Sequence, residues 1–209
     1  MRQKHFRLMK PLLVILNRYQ RYSQRIRSMW YRGKFLFTER LRHQRIELGE
    51  AVVFLVPVRG GGQGTLQVGD KTTFGFPLAH RLGSGEIMLQ ARTPDAEIVI
   101  GQNTIFSNNT VLCAVRSIRI GSFCRIGDGV SISDADFHEI NPATRDNSVG
   151  VIKPVNIGNN VWIGSRAMVL KGASIGDNSI IGAMSVVTSD IPANCIAVGI
   201  PAKVIRKIE

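Results

Sequence analysis

Aliphatic residues recur along this chain at a spacing of six, and that period predicts most of its architecture. The clearest run is Ile157, Ile163, Val169, Ile175, Ile181 and Val187. Four residues after each of the first five stand Val161, Ala167, Ala173, Ser179 and Ser185, all small or β-branched; Ile191 breaks the rule in the last hexad. The pattern reads backwards through Ile132, Ile126 and Ile120. After a two-residue slip it continues through Leu112, Phe106, Ile100, Pro94 and Met88, and more weakly through Leu82, Phe74 and Val68. A period of six excludes an amphipathic helix here, because a helix repeats about every 3.6 residues. It predicts one short strand and one tight turn per hexad. The aliphatic points inward, the small residue fits a cramped interior, and the intervening glycines tolerate the turn. Three hexads make a triangular coil of about 18 residues that buries its face only by stacking on the next coil. The expected product is a prism of parallel strands.

The first fifty residues follow a different pattern. From Pro11, a good first helical residue, Leu12, Ile15, Leu16, Tyr19, Tyr22, Ile26, Met29 and Trp30 recur every three or four positions up to Gly33, a plausible stop. Arg18, Arg21, Arg25 and Arg32 fall on the opposite side of the wheel. Such a helix suits an anionic membrane surface, apolar face in the lipid and arginines toward the headgroups. It equally suits docking on the prism or on a neighbouring subunit, with the arginines solvated. Residues 51–58, Ala-Val-Val-Phe-Leu-Val-Pro-Val, read as a buried strand leading into the first coil, and Gly60-Gly-Gly-Gln-Gly64 as a linker.

Charge sharpens this division. The chain of 209 residues carries a net charge of +12, and residues 1–50 hold 13 Lys/Arg against 3 acids, leaving 14 against 12 for the remainder. A partner that explains the basic excess should therefore touch the front segment. Nucleic acid is not expected, because no reading motif accompanies the charge. Cys113, Cys124 and Cys195 form neither a C-x-x-C pair nor any other metal-ligand spacing, so no metal is expected and a reducing compartment fits. No apolar run approaches the roughly 20 residues that span a bilayer, nor a signal-peptide core. The expected location is cytoplasmic, with peripheral contact at the inner face of the membrane through residues 11–33 as one option.

Between Ile132 and Ile157 the period fails, and Asp136 to Pro154 contains Asn-Pro, Thr-Arg-Asp-Asn and Lys-Pro, which are loop signals. A loop thrown out of a stiff prism is a usual place for function. His138 stands near its start, in Ser133-Asp-Ala-Asp-Phe-His138-Glu139. Imidazole suits general-base work near neutral pH. Arg116 interrupts the small-residue position of its hexad. A cation cannot simply enter a narrow apolar core, so it marks either a bulged corner or a contact to a bound acceptor.

Ile157-Gly-Asn-Asn-Val-Trp162-Ile-Gly-Ser165 and Val198-Gly-Ile-Pro-Ala-Lys-Val-Ile-Arg206, together with the repeat itself, resemble the hexapeptide-repeat acyltransferase family over roughly residues 66–209. The resemblance is to members that acetylate sugars and certain antibiotics. It implies an all-β fold, a left-handed parallel β-helix, here with a short α-helical N-terminal extension, and a homotrimer. The left hand is an exception to the usual right-handed crossover. The expected layout is residues 1–60 as basic helix and lead-in strand, 61–192 as β-helix with a loop at about 136–154, and 193–209 as C-terminal tail. The implied reaction moves an acetyl group from acetyl-coenzyme A to a sugar hydroxyl with no acyl-enzyme.

Residue by residue, the family likeness makes His138 the general base, since the family's histidine occupies the same place relative to the Trp-Ile-Gly-Ser stretch. Glu139, Asp136 or a backbone carbonyl would orient it, and Asp136, Glu139 and Arg116 are candidates for the acceptor side. Asn108 aligns with an asparagine that holds the acceptor or the oxyanion; otherwise it is a turn residue. Trp162 would pack at the subunit interface, Ser165, Ala183 and Thr188 would line the pantetheine groove, and Lys203 and Arg206 would meet the coenzyme phosphates. Ser189 stands where many relatives carry lysine, which weakens one phosphate contact. The implied acceptor is a saccharide of a bacterial surface polysaccharide. A small soluble acceptor, an antibiotic or a nucleotide-linked amino sugar, and a non-catalytic scaffold are the alternatives.

Overall fold

The computed structural model describes the backbone of residues 2–76 and 85–209, and within these ranges the side chains from residue 19 onward except 20 and 21. Leu82 of the repeat, and the side chains of Leu12, Ile15, Leu16, Arg18 and Arg21, lie outside the described residues. A helix, α1 (Arg2–Leu41), precedes six triangular coils. They are β1 (Arg45–Leu48), β2 (Val53–Phe54) and β3 (Val58–Arg59); β4 (Thr65–Val68), β5 (Thr73–Phe74) and β6 (Ile87–Ala91); and β7 (Glu97–Ile100), β8 (Ile105–Phe106) and β9 (Val111–Ala114). The upper three are β10 (Ser117–Ile120), β11 (Arg125–Ile126) and β12 (Ser131–Ser133); β13 (Val155–Ile157), β14 (Trp162–Ile163) and β15 (Met168–Val169); and β16 (Ser174–Ile175), β17 (Ile180–Ile181) and β18 (Val186–Val187). The chain ends with β19 (Cys195–Gly199) and β20 (Ala202–Lys207).

From β1 to β15 each strand pairs in parallel with the strand three later, and β17 pairs in parallel with β19, which builds three sheets. The first sheet runs β1-β4-β7-β10-β13-β16, the second β2-β5-β8-β11-β14-β17-β19-β20, and the third β3-β6-β9-β12-β15-β18. Only β20 is antiparallel, folding back on β19. The fold is a left-handed parallel β-helix. The six-residue period becomes three inward columns: Val68, Ile100, Ile120, Ile157 and Ile175 on the first sheet, Phe74, Phe106, Ile126, Ile163 and Ile181 on the second, and Leu89, Leu112, Ile132, Val169 and Val187 on the third. All are buried. Each coil alone would leave its face wet, so the stack is cooperative by construction.

Three expectations are corrected. Met88 and Pro94 are not inward: β6 alternates, burying Ile87, Leu89 and Ala91, and Pro94 is exposed in the turn that follows, which absorbs the extra residues. Over five residues the two-residue strand period wins over the hexad. Residues 51–58 do not lead into the first coil but form part of it, and the parallel pairing of β1 with β4 starts the prism at Arg45, ahead of residue 61. The glycine run is not a linker. Gly62 (φ +95°) bridges Ala91, and a Cβ there would sit 1.9 Å from the Ala91 carbonyl oxygen. The side-chain amide of Gln44 both donates to and accepts from the Gly61 backbone at 3.3 Å.

The helix is longer than expected, 40 residues, and continues through both Pro11 and Gly33. Its C-terminal part caps the first coil. Ser28 Oγ accepts from the Phe54 amide at 2.9 Å. Phe35 starts a ladder of rings through Phe54, Phe74 and Phe106, with centroids 5.6, 5.2 and 5.3 Å apart, in the range where tilted and stacked pairs attract. No helix among the described residues is long and apolar enough to cross a membrane.

Candidate active site

The excursion between β12 and β13 leaves the corner that joins the third sheet to the first. Its neck is a short antiparallel pairing: Ala135 bridges Ile152, the Lys153 amide donates to the Asp134 carbonyl at 2.9 Å, and the Asp136 amide to that of Val151 at 3.2 Å. At its tip Asn141 caps the 3-10 turn Pro142–Thr144 by accepting from the Ala143 amide at 3.0 Å. The root is fixed by Asp134, which is fully buried. Its carboxylate accepts from the amides of Val115, Arg116 and Ser117, each at 2.7 Å. Three donors that the tight turn between β9 and β10 would otherwise leave unpaired are thereby satisfied.

Two features turn the chain at His138 itself. Phe137 adopts the left-handed region (φ 67°), where residues with a Cβ are strained. Its ring is held under the Arg92 guanidinium, 4.6 Å from the centroid. Gly150, also left-handed, brings the returning strand against the His138 carbonyl; a Cβ there would lie 2.3 Å from that oxygen. His138 emerges with its side chain 64% exposed, and Nδ1 lies 3.3 Å from Oδ1 of the still more exposed Asp146.

The structure redistributes the residues expected around this histidine. Neither Asp136 nor Glu139 orients it. Asp136 pairs with Lys171 Nζ at 2.5 Å, tying the neck to the next coil, and Glu139 accepts from Ser148 Oγ at 2.5 Å. Both contacts hold the excursion in place. Arg116 sits in the tight corner with its side chain exposed, so no cation enters the core. Asn108 lies on the edge joining the second and third sheets, is fully buried, and its Oδ1 accepts from the Phe76 amide at 3.0 Å. That bond ties the corner after β8 to the segment that follows β5.

The donor-side residues fall into two groups. Ser165 and Ala183 stack on one edge, between the second and third sheets, where the Met184 amide donates to the Ser165 carbonyl at 2.9 Å. Thr188 follows β18 on the other edge of the third sheet, the edge that carries the excursion. Between them runs an outer face with Met168 exposed and Leu170 and Val186 half-buried. These three were not singled out from the sequence, because outward positions in the repeat carry no pattern. Trp162, 56% exposed, is instead on the outer face of the second sheet, in register with Ile180, Ile196 and Arg206. Lys203 is on the same sheet, on β20 opposite Val198. One chain thus presents His138 and Thr188 on one side, and Trp162, Lys203 and Arg206 on another.

All three cysteines are buried, and burial pushes the thiols of Cys113 and Cys124 up from their ordinary value. A thiol held neutral is a poor nucleophile. Asp134, Arg92, Phe137 and Gly150 escaped the sequence reading. A buried acid beside the histidine and a glycine at the far end of an aperiodic loop were the only traces of them.

Residues 154–189 match the family described as "Bacterial transferase hexapeptide (six repeats)". The chain is 41% identical over 113 residues to the galactoside O-acetyltransferase of Escherichia coli (strain K12), 54% of this chain and 55% of that protein. It is 39% identical over 135 residues to SAR2635 of Staphylococcus aureus (strain MRSA252), named for an inferred acetyltransferase activity, covering 58% of this chain and 67% of that one. Among solved structures, a galactoside acetyltransferase in complex with coenzyme A superposes with a TM-score of 0.50 at 33% identity, over 75% of this chain and 66% of that one. The match spans about half the length of the first of these curated relatives.

Proposed function

Because this chain belongs to the hexapeptide-repeat transferase family, we propose that it is an acetyltransferase moving an acetyl group from acetyl-coenzyme A to a hydroxyl of a saccharide, with His138 as general base. The observation that carries this reading is the placement of His138. It is an exposed imidazole on the excursion between β12 and β13, which leaves the same edge of the third sheet that Thr188 follows. The relative that acetylates galactosides supports the acceptor class, and the solved relative that holds coenzyme A supports the donor. A unit of a surface polysaccharide is the finer proposal for the acceptor.

The transfer is direct. The imidazole takes the hydroxyl proton as the acceptor oxygen attacks the thioester carbonyl. The tetrahedral oxyanion collapses, the carbon–sulfur bond breaks, and the coenzyme leaves as thiolate, taking the proton back from the imidazolium. No protein thiol takes part, consistent with the buried cysteines. Met168, Leu170 and Val186 offer an apolar track for the pantetheine arm. The separation of His138 from Trp162, Lys203 and Arg206 supports a homotrimer in which the second-sheet face of one copy meets the excursion edge of the next. One site then draws on two chains.

The test is release of coenzyme A thiol across a panel of sugars, run on the native chain and on His138→Ala. The side chain is exposed and bears no core contact, so stability should be unchanged. Activity should fall by about 10²–10⁴-fold, the usual worth of a positioned base. Retention of most activity would remove the base assignment, and absence of acetyl-coenzyme A binding heat in calorimetry would remove the enzyme class.

A further inference from the structure

The helix α1 meets the prism with one face and leaves the opposite face uncovered. Ser28, Phe35 and Glu39 contact the first coil and the glycine run: Ser28 through the Phe54 amide, Phe35 in the ring ladder, Glu39 against Gly60. With about 100° of rotation per residue, Tyr22, Ile26, Trp30, Phe37 and Leu41 fall on the far side, with Met29 at its edge. Each is more than half exposed, Trp30 at 69% and Phe37 at 66%. Docking on the coil and an apolar outer stripe, two alternatives at the sequence level, are therefore both present on one helix.

What covers that stripe follows from charge. Arg25 and Arg32 border it on one side and Arg27 and Lys34 on the other. Among the described residues no acid pairs with any of the four. The helix contains a single acid, Glu39, and it is 1% exposed, turned toward the coil and paired with Arg42. A second copy of α1 laid on the stripe would bring arginine against arginine with no carboxylate to meet them. An anionic surface meets both the apolar stripe and the two cationic borders. Trp30 and Tyr22 add amphipathic rings of the kind that settle at the headgroup level.

We propose that the stripe from Tyr19 to Leu41 is a lipid-docking surface that seats the protein, first coil downward, on a membrane rich in anionic headgroups. The apolar side chains enter the headgroup boundary while Arg25, Arg27, Arg32 and Lys34 meet phosphates at its rim. The excursion bearing His138 leaves from the fourth coil, three coil spacings of about 4.8 Å above the first. The proposal stands apart from the transfer reaction, since docking needs neither donor nor acceptor.

Sedimentation of the full chain with vesicles tests it. Phosphatidylglycerol vesicles should bind at least about tenfold more protein than phosphatidylcholine vesicles, and about 0.5 M salt should erase most of the difference. Trp30→Ser combined with Phe37→Ser should lower binding to phosphatidylglycerol about tenfold with an unchanged thermal transition, because both side chains are exposed. Arg25→Glu with Arg27→Glu should do the same without touching the apolar stripe. Equal binding to the two vesicle types, no binding to either, or full binding by both double variants would overturn the proposal. So would a fall in oligomer mass for the Trp30/Phe37 variant without any vesicle binding by the native chain, which would make the stripe a contact between copies.

Discussion

The wall from Ile157 to Val187 and the excursion from Asp134 to Pro154 are neighbouring stretches of one chain held in opposite ways. In the wall, the strands of one coil pair in register with those of the next, and each inward aliphatic stacks on another of its kind. In the excursion, each support occurs once: one carboxylate at the root, one ion pair from Asp136 to Lys171, one ring under one guanidinium, one glycine against one carbonyl. Repetition makes the wall tolerant in shape and costly to hollow out. Singularity lets the excursion hold a histidine at a defined place, and makes it sensitive to single changes.

That contrast can be broken most severely from the wall. Phe74→Ala removes a fully buried ring from the middle of the ladder between Phe54 and Phe106. The cavity cannot collapse against stiff neighbouring coils, so we expect a loss of about 3–5 kcal/mol in denaturant unfolding. The root of the excursion comes next. Asp134→Ala strips the acceptor from three amides, and leaving such donors unpaired should cost about 2–3 kcal/mol in the same measurement. Activity should fall further than stability explains, because the neck loses its anchor. A folded variant with native activity would show that the wall alone positions His138.

The smallest effect is expected at the tip. The pair between His138 and Asp146 is exposed on both sides, and such pairs are worth about 0–1 kcal/mol. Asp146→Asn should therefore change kcat by no more than about fivefold at unchanged stability. A loss as large as that of His138→Ala would mean that Asp146 is buried with the histidine in the working assembly, and would move it from bystander to positioning residue.

The amino-acid sequence by itself determined the prism, the inward columns, the place of the excursion and the histidine on it. Each of these rests on local chemistry: a repeated aliphatic, a small residue in a fixed place, a break in the period. The register around β6 was misread because a five-residue strand imposes its own alternation on the hexad. Only the tertiary structure decided the partners of Asp136 and Glu139, the burial of Asn108, and the division of the donor-side residues between two faces. These depend on which corner stacks on which, across separations of 19 residues for Asp134 and Val115 and 35 for Asp136 and Lys171. It also decided that α1 both docks and stays apolar outside. A periodic pattern states that a helix has an apolar stripe, whereas only packing states which stripe is covered.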